Sequence, residues 1–412
     1  MFDLAASDQD DLHGGRTPWQ PHARRVPMAH LHESIRCDVV VVGAGITGAL
    51  AAENLTRQGL DVCIVDREQP GLGSTVASTA MLLWEIDRPL RDFVISHGFE
   101  RAATIYRQSA AAASGLLALI SELAVDCHAR ANPSLYLAAG ESGPQILLEE
   151  HELRRRAGLP GEFLDHQAVL SRFGIGREAA LLSPGSADVD PVMLSQGLLA
   201  IAASRGARLF DAQACDFDSS ATEAAIELDN GRVVAAKWIV LATGYALPDV
   251  VRSDLHSLAS SWAICTPPQR RSALWPEDAL IWEASESYHY ARTTTDGRII
   301  IGGEDETDIV EPDARDALIA AKTGRLLSEL RRLRPQAKPV AEFAWAGAFG
   351  KTIDSLPMIG RVPGQPRMLG AYGYGGNGIT FSFLASRVIA DTIAGNERAD
   401  YDAFSFERDR IG

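Results

Sequence analysis

The sequence predicts an α/β protein in which a parallel sheet wound with helices carries a second unit built on an antiparallel sheet. Three observations carry this prediction. Residues 37–66 read as strand, glycine turn, helix and strand, ending on a carboxylate. From about 255 to 345 the pattern changes to long alternating strands. After 345 the chain returns to glycine-rich loops and a last helix. At 412 residues the chain is too long for a single core, so two domains are expected.

Residues 1–33 form a polar arm with three prolines and four histidines, His13, His22, His30 and His32. Their irregular spacing, without a Cys or acidic partner, reads as a solvated arm packed loosely over the domain, not a metal tract. The start, MFDLAASDQDD, is acidic and is not a signal peptide. PMAHLHES follows Arg24-Arg25 where a twin-arginine signal needs an apolar stretch.

Residues 37–42 are a Val-rich run, as expected for a strand buried on both faces. Gly43 allows the tight turn that follows. Gly45 lets backbone approach a pyrophosphate, and Gly48 lets the helix lie close on the strand, with Ile46 and Thr47 between them. Residues 49–58 suit a helix, stopped by Gly59, and its N-terminus aims free N–H groups at phosphates. Residues 62–65 form the second strand. Asp66 follows Gly48 by 18 residues, close to the roughly 20 expected for a carboxylate that bonds a ribose hydroxyl. The segment is a dinucleotide seat of Rossmann type. Asp66 argues against NADP, because a carboxylate repels a 2′-phosphate. The motif alone does not separate NAD from FAD.

A loop beginning at Arg67 leads to Gly73, Ser74, Thr75, Ser78, Thr79 and Ala80, which open a helix whose start offers donors to an anionic group. Residues 90–128 look helical, 135–137 form a short strand, and 145–157 and 165–173 are helices. Asp188 to Pro191 caps a helix to Ser204. Residues 208–210, 226–228 and 233–235 are strands, with Asn230-Gly231 as a hairpin turn. Residues 238–241 are a buried strand running into the tight turn Ala242-Thr243-Gly244. Strands at 262–265, 280–282, 287–292 and 298–303 fit the antiparallel sheet, with Asp296-Gly297 as a turn. An amphipathic helix covers 312–334.

Bulk properties exclude several classes. The net charge of −15 disfavours nucleic acid and anionic membranes as partners. No run of about 18 apolar residues predicts a transmembrane helix. The five cysteines, at 37, 63, 127, 215 and 265, contain no CxxC pair. That spacing excludes iron–sulfur and structural zinc sites and fits a reducing, cytoplasmic setting.

A second strong signal lies at the far end. Residues 345–360 read WAGAFGKTIDSLPMIG, and 372–380 read YGYGGNGIT, opening a helix to Ala394. Glycines ahead of a helix bring N–H donors to a ligand that carries negative charge, as a reduced flavin does at N1. With GAGITG at 43–48, GSTVASTA at 73–80, ATG at 242–244 and DGRIIIGGEDE at 296–306, these motifs resemble the D-amino-acid oxidase-like family of flavoproteins. The likeness is to its glycine oxidase and sarcosine oxidase branch, and most of all to bacterial gamma-glutamylputrescine oxidase-like members. It covers roughly residues 36 to 395.

The resemblance implies a Rossmann-type FAD domain in discontinuous pieces and a substrate domain whose large antiparallel sheet lies over the flavin. The expected division is an arm at 1–33, FAD-binding segments at 34–90, 190–254 and 345–412, and substrate segments at 91–189 and 255–344. FAD is expected to contact the residues named above at 43–48, Asp66, Arg67 and 73–80. It is also expected to contact Thr243, Gly244, Gly375, Gly376, Asn377, Gly378, Ile379 and Thr380. Two departures concern the substrate. Relatives that oxidise amino acids carry an arginine at the position of Phe349, whose fork grips the substrate carboxylate, and a second at Gly376. No Cys follows Cys265 and no His lies in 73–84, so FAD is expected to be noncovalent.

Tyr288, Tyr290 and Arg292 alternate onto one strand face, with His289 and Ala291 on the other. That face, joined by Trp84, Glu85, Phe349 and Tyr374, predicts aromatic walls around a carboxylate, suited to an amine or ammonium. Lys351 is a candidate cation beside the flavin for oxygen reduction. The expected activity is FAD-dependent oxidation of the C–N bond of a small amine, N-substituted amine or amino acid. Hydride passes to flavin N5, the imine is hydrolysed, and oxygen reoxidises the flavin. The alternatives are a dehydrogenase of amines or hydroxy acids using a quinone or protein acceptor, and a catalytically decayed flavin-binding protein.

Overall fold

The computed structural model describes residues 12–408 apart from 252, 286 and 397. The expectation about the leader at 1–11 lies outside the described residues. The smaller of two sheets is centred on Ile35–Val42, whose residues Val39, Val40 and Val41 are fully buried. That strand runs parallel to Val62–Asp66 on one side and Val233–Leu241 on the other. Arg208–Asp211 and Met368–Tyr372 extend the parallel order outward, and Met358–Arg361 adds an antiparallel edge. Ala224–Leu228 and Ala214–Ser219 complete a meander beside Val233–Leu241. The two expected strands at 233–235 and 238–241 are one continuous strand, because alternate residues of the first half are buried as well. The helix Ile46–Arg57 packs against Pro191–Ser204 and Gly378–Ile393, which explains why eleven of its twelve residues are buried.

The larger sheet is mainly antiparallel. Phe343–Thr352 pairs with His256–Cys265 over its full length, and Ile299–Glu306 and Tyr290–Thr293 follow. Leu280–Ala284, Arg130–Ala138, Ala179–Asp188 and Met81–Leu82 continue the order, with one parallel pairing between the first two. The strand that holds Trp345 and Phe349 therefore belongs to this sheet.

Several elements differ from expectation for local reasons. The helical stretch after residue 90 is two helices, Leu90–His97 and Phe99–Glu122, divided at Gly98. The amphipathic helix is divided at Leu318 into Pro312–Ala317 and Ile319–Leu333. The helix opened by Ser74 lasts one turn, Ser74–Ala77, because Ser78 turns extended and Ala80 takes φ +55°. The arm is not loose. His13–Arg16 adds an edge strand to Phe343–Thr352, and Trp19 is buried with its indole N–H donated to Ser78 O at 2.8 Å.

Candidate active site

One elongated cavity of about 560 Å³ joins the two sheets. Its first end lies at the carboxyl edge of the parallel strands. Gly43, Gly45, Ile46, Thr47, Asp66 and Arg67 line it there, together with Gly73, Ser74, Thr75, Ser78 and Thr79. Thr243, Gly244 and the segment Gly375, Gly376, Asn377, Gly378, Ile379 line it as well. This is the position a doubly wound sheet reserves for a dinucleotide. Gly43 adopts φ +106°, and a Cβ there would lie 2.3 Å from Ala242 O. Asp66 accepts from Ala44 N at 2.6 Å and from Glu68 N at 2.9 Å, so the carboxylate also braces the glycine turn. Burial pushes its carboxyl above the usual range, and these backbone donors offset only part of that rise.

Three residues expected at the cofactor stand behind the wall instead. Gly48 gives way to Gly43 O, which a Cβ would meet at 1.8 Å, so its role is helix packing. Ala80 is buried and offers its carbonyl to Arg292 at 2.7 Å. Thr380 donates its hydroxyl to Leu83 O at 2.9 Å. The lining fits FAD on two observations of the chain itself: the backbone approaches that side chains would block, and the buried Ser74 hydroxyl, which lines the cavity with no partner.

The second end lies on the antiparallel sheet. Tyr288 and Tyr290, with ring centroids 5.9 Å apart, line it with Trp282, Phe349, Ser261 and Leu83. Burial lifts both tyrosine hydroxyls above their usual range. Asp87 and Asp305 complete this end. Arg67, beside Asp66, is the sole basic side chain among the described residues that line the cavity.

Four expected pocket residues do not reach it. Arg292 is buried under the 74–80 loop, donating to Ala80 O and Val189 O and lying 5.2 Å from the Trp19 ring. It is a strut, because its alternation carries it past the end of the pocket. Glu85 is buried among Ser134, Ser186 and Arg154. Trp84 donates to Pro184 O at 2.9 Å, with Arg154 5.3 Å from its ring. Lys351 lies 5.9 Å from the Phe349 ring, outside the lining, although its charge pulls both cavity carboxyls downward. His289 does face away from the tyrosines, pairing with Glu283 at 3.1 Å and Glu304 at 3.4 Å.

Asp87 and Asp305 also line this chamber without a sequence signal that marks them as site residues. Asp87 stands two residues beyond Glu85, and the chain bends so that Leu83 and Asp87 face inward. Asp305 sits in the 296–306 motif, where strict alternation from Gly302 would aim it away from Tyr290. A register shift between Ser260 and Trp262, with Glu304 at φ +62°, reverses that parity. Tyr245, Trp282, Ser261 and the stretch 212–217 carry no sequence motif that would single them out. The histidine arm also differs from expectation: His22, His128 and Asp190 place ligand atoms within 4.8 Å of one another, away from the cavity lining. Asp190 is there the N-cap of Pro191–Ser204.

A family model for FAD dependent oxidoreductases (DAO) matches residues 38–392. The chain belongs to this family. It is an FAD-dependent oxidoreductase, and FAD is its cofactor. Among its relatives, gamma-glutamylputrescine oxidoreductase of Escherichia coli (strain K12) is 26% identical over 388 residues, covering 92% of this chain and 88% of that protein. Glycine oxidase of Geobacillus kaustophilus (strain HTA426) is 25% identical over 391 residues, covering 90% and 97%. The crystal structure of glycine oxidase from Geobacillus kaustophilus shares the fold, with a TM-score of 0.74 and 22% identity over 92% of this chain and 100% of that one. Among the described residues no helix is long and apolar enough to cross a membrane.

Proposed function

We propose that this member of the family oxidises the C–N bond of a small amine, N-substituted amine or amino acid. The observation that carries the reading is the single cavity itself. It joins the dinucleotide seat at Gly43–Asp66 to an aromatic chamber of Tyr288, Tyr290, Trp282 and Phe349. The named activities of the relatives, on an amine derivative and on an amino acid, support the same reaction class.

The loops at 43–47, 73–79 and 375–379 would hold FAD, which would supply hydride acceptance for oxidation of the substrate C–N bond to a hydrolysable imine. The chain's own contribution is to position and exclude. The tyrosines and Phe349 shield the reacting carbon from water and fix its approach. Asp66 and the backbone around Gly43 and Gly45 would hold the adenosine half. Attachment is noncovalent: among the described lining residues there is no histidine, and the single cysteine, Cys215, lies in the stretch 212–217 near Asp66 and away from the aromatic chamber. Oxygen would be the final electron acceptor.

Anaerobic titration of the purified flavoprotein with a panel of amines, amino acids and hydroxy acids tests the reading. Bleaching of the flavin absorbance by an amine or amino acid is expected, with colour returning in air. Bleaching by hydroxy acids alone overturns it. Slow return in air, with fast return on adding a quinone, assigns a dehydrogenase in place of an oxidase.

A further inference from the structure

We propose that Asp87 and Asp305 form a cation-binding wall that selects an aliphatic ammonium without a neighbouring carboxylate as substrate. This rests on the amine-oxidation reading for its chemistry, and on the cavity alone for its charge.

Neither carboxylate has an ion-pair partner among the described residues. Asp305 lines the cavity, and its Oδ1 atom is shielded from solvent with no hydrogen-bond partner. Asp87 accepts one backbone N–H, from Gly376 at 2.7 Å. Burial lifts both carboxyls, and the charge of Asp305 lifts Asp87 further. Lys351 opposes this from outside the lining without reversing it. Asp87 opens onto the cavity space and Asp305 is half-buried, so two carboxylates of one sign face one chamber and favour a positively charged partner there. Lys351, Lys322 and His289 act on Asp305 from outside the lining, and no basic side chain among the described residues lines this end of the cavity, so a cationic ligand would be the direct partner.

The aromatic surround agrees. Tyr288, Tyr290, Trp282 and Phe349 present ring surfaces that attract a cation and repel an anion. The last glycine loop is shaped for the same choice. A Cβ at Gly376 would lie 2.7 Å from Asp87 Oδ1, and one at Gly375 would lie 2.4 Å from Oδ2. A side chain in this loop and the inward Asp87 exclude each other. The position where the family resemblance implies a carboxylate-gripping arginine therefore holds a carboxylate's backbone donor instead. With Phe349 at the other such position, both grips on a substrate carboxylate are gone, and the sign of the chamber is inverted.

The test uses the purified FAD-loaded protein and a cation that cannot form an imine. Tetramethylammonium is expected to perturb the bound-flavin spectrum saturably, and acetate is not. Asp305→Asn and Asp87→Asn are each expected to weaken tetramethylammonium binding at least about tenfold while FAD content stays at wild-type level. Asp305→Glu is expected to recover part of the loss. Saturable acetate binding without tetramethylammonium binding overturns the proposal, as does wild-type affinity in both Asn variants. Where an Asn variant loses FAD or melts early, the wild-type contrast between the two ions decides. Turnover is a separate readout. Tetramethylammonium binding without flavin bleaching by any amine or amino acid overturns the amine-oxidation reading and leaves the cation wall standing. Bleaching by α-amino acids alone, without tetramethylammonium binding, does the reverse.

Discussion

The two ends of the cavity are built by different means. The cofactor end is made from backbone: a glycine turn, helix starts and one carboxylate, all at the edge of a parallel sheet. The end proposed for the substrate is made from side chains drawn from distant strands and loops, Tyr288, Tyr290, Asp305, Phe349 and Asp87. A backbone site tolerates little, because a Cβ collides with main chain that has nowhere to move. A side-chain site is free to change its residues, and with them its charge, while the fold stays the same. One family can thus keep FAD and vary its substrate.

The sharpest way to break this contrast is at the turn. Gly43→Val places a side chain where a Cβ would meet Ala242 O at 2.3 Å, in a backbone region side chains avoid. The expected cost is on the order of 3 kcal/mol or more, with loss of FAD, read by flavin absorbance and melting temperature. A stable, yellow variant would refute the backbone account. Asp66→Ala comes next. It removes the acceptor of Ala44 N and Glu68 N as well as the proposed ribose partner, and roughly tenfold weaker FAD retention is expected. Unchanged retention on dialysis counts against that role.

Arg292→Met sharpens the boundary of the substrate end. Arg292 holds the carbonyls of Ala80 and Val189, so stability is expected to fall by about 2 kcal/mol while KM for an amine moves less than about twofold. A large KM shift at unchanged melting temperature would return Arg292 to the chamber.

The smallest effect is expected on the far face of the same strand. Burial alone would lower the His289 imidazole, but Glu283 and Glu304 outweigh it and hold it above its ordinary value of 6.5. Burial alone would raise the Glu283 carboxyl, but His289 and Arg177 hold it down at about 2. The histidine's contribution is complete below pH 6.5 and is lost as pH rises through its higher folded value. The glutamate's is complete above 4.5 and is lost as pH falls toward about 2. The melting-temperature difference between wild type and His289→Gln should therefore peak between pH 4.5 and 6.5 and shrink in alkali. A difference that grows above pH 8, roughly, contradicts the pairing.

Residues 37–66, the loop at 73–79 and the turn at 243–244 were legible because their roles depend on glycine, on strand order and on spacing along one chain segment. Those are local properties, and the parallel sheet and the glycine turn that lines the cavity follow from them. Trp84, Glu85 and Lys351 fall outside the chamber because nearness to a motif does not say where a side chain points, and Arg292 because alternation states only which residues share a face. It does not state where a pocket on that face ends. Asp305 was hidden by one extra residue in its strand, which reverses every side chain after it. Asp87 was hidden by a bend whose partner, Gly376, lies 289 residues away.

The sequence by itself determined the dinucleotide seat, the family resemblance and the absence of arginines at 349 and 376. Only the tertiary structure decided which groups stand in their place. Charge in a pocket is a sum over segments that meet only after folding, and a one-residue bulge or a backbone N–H at 2.7 Å sets its sign.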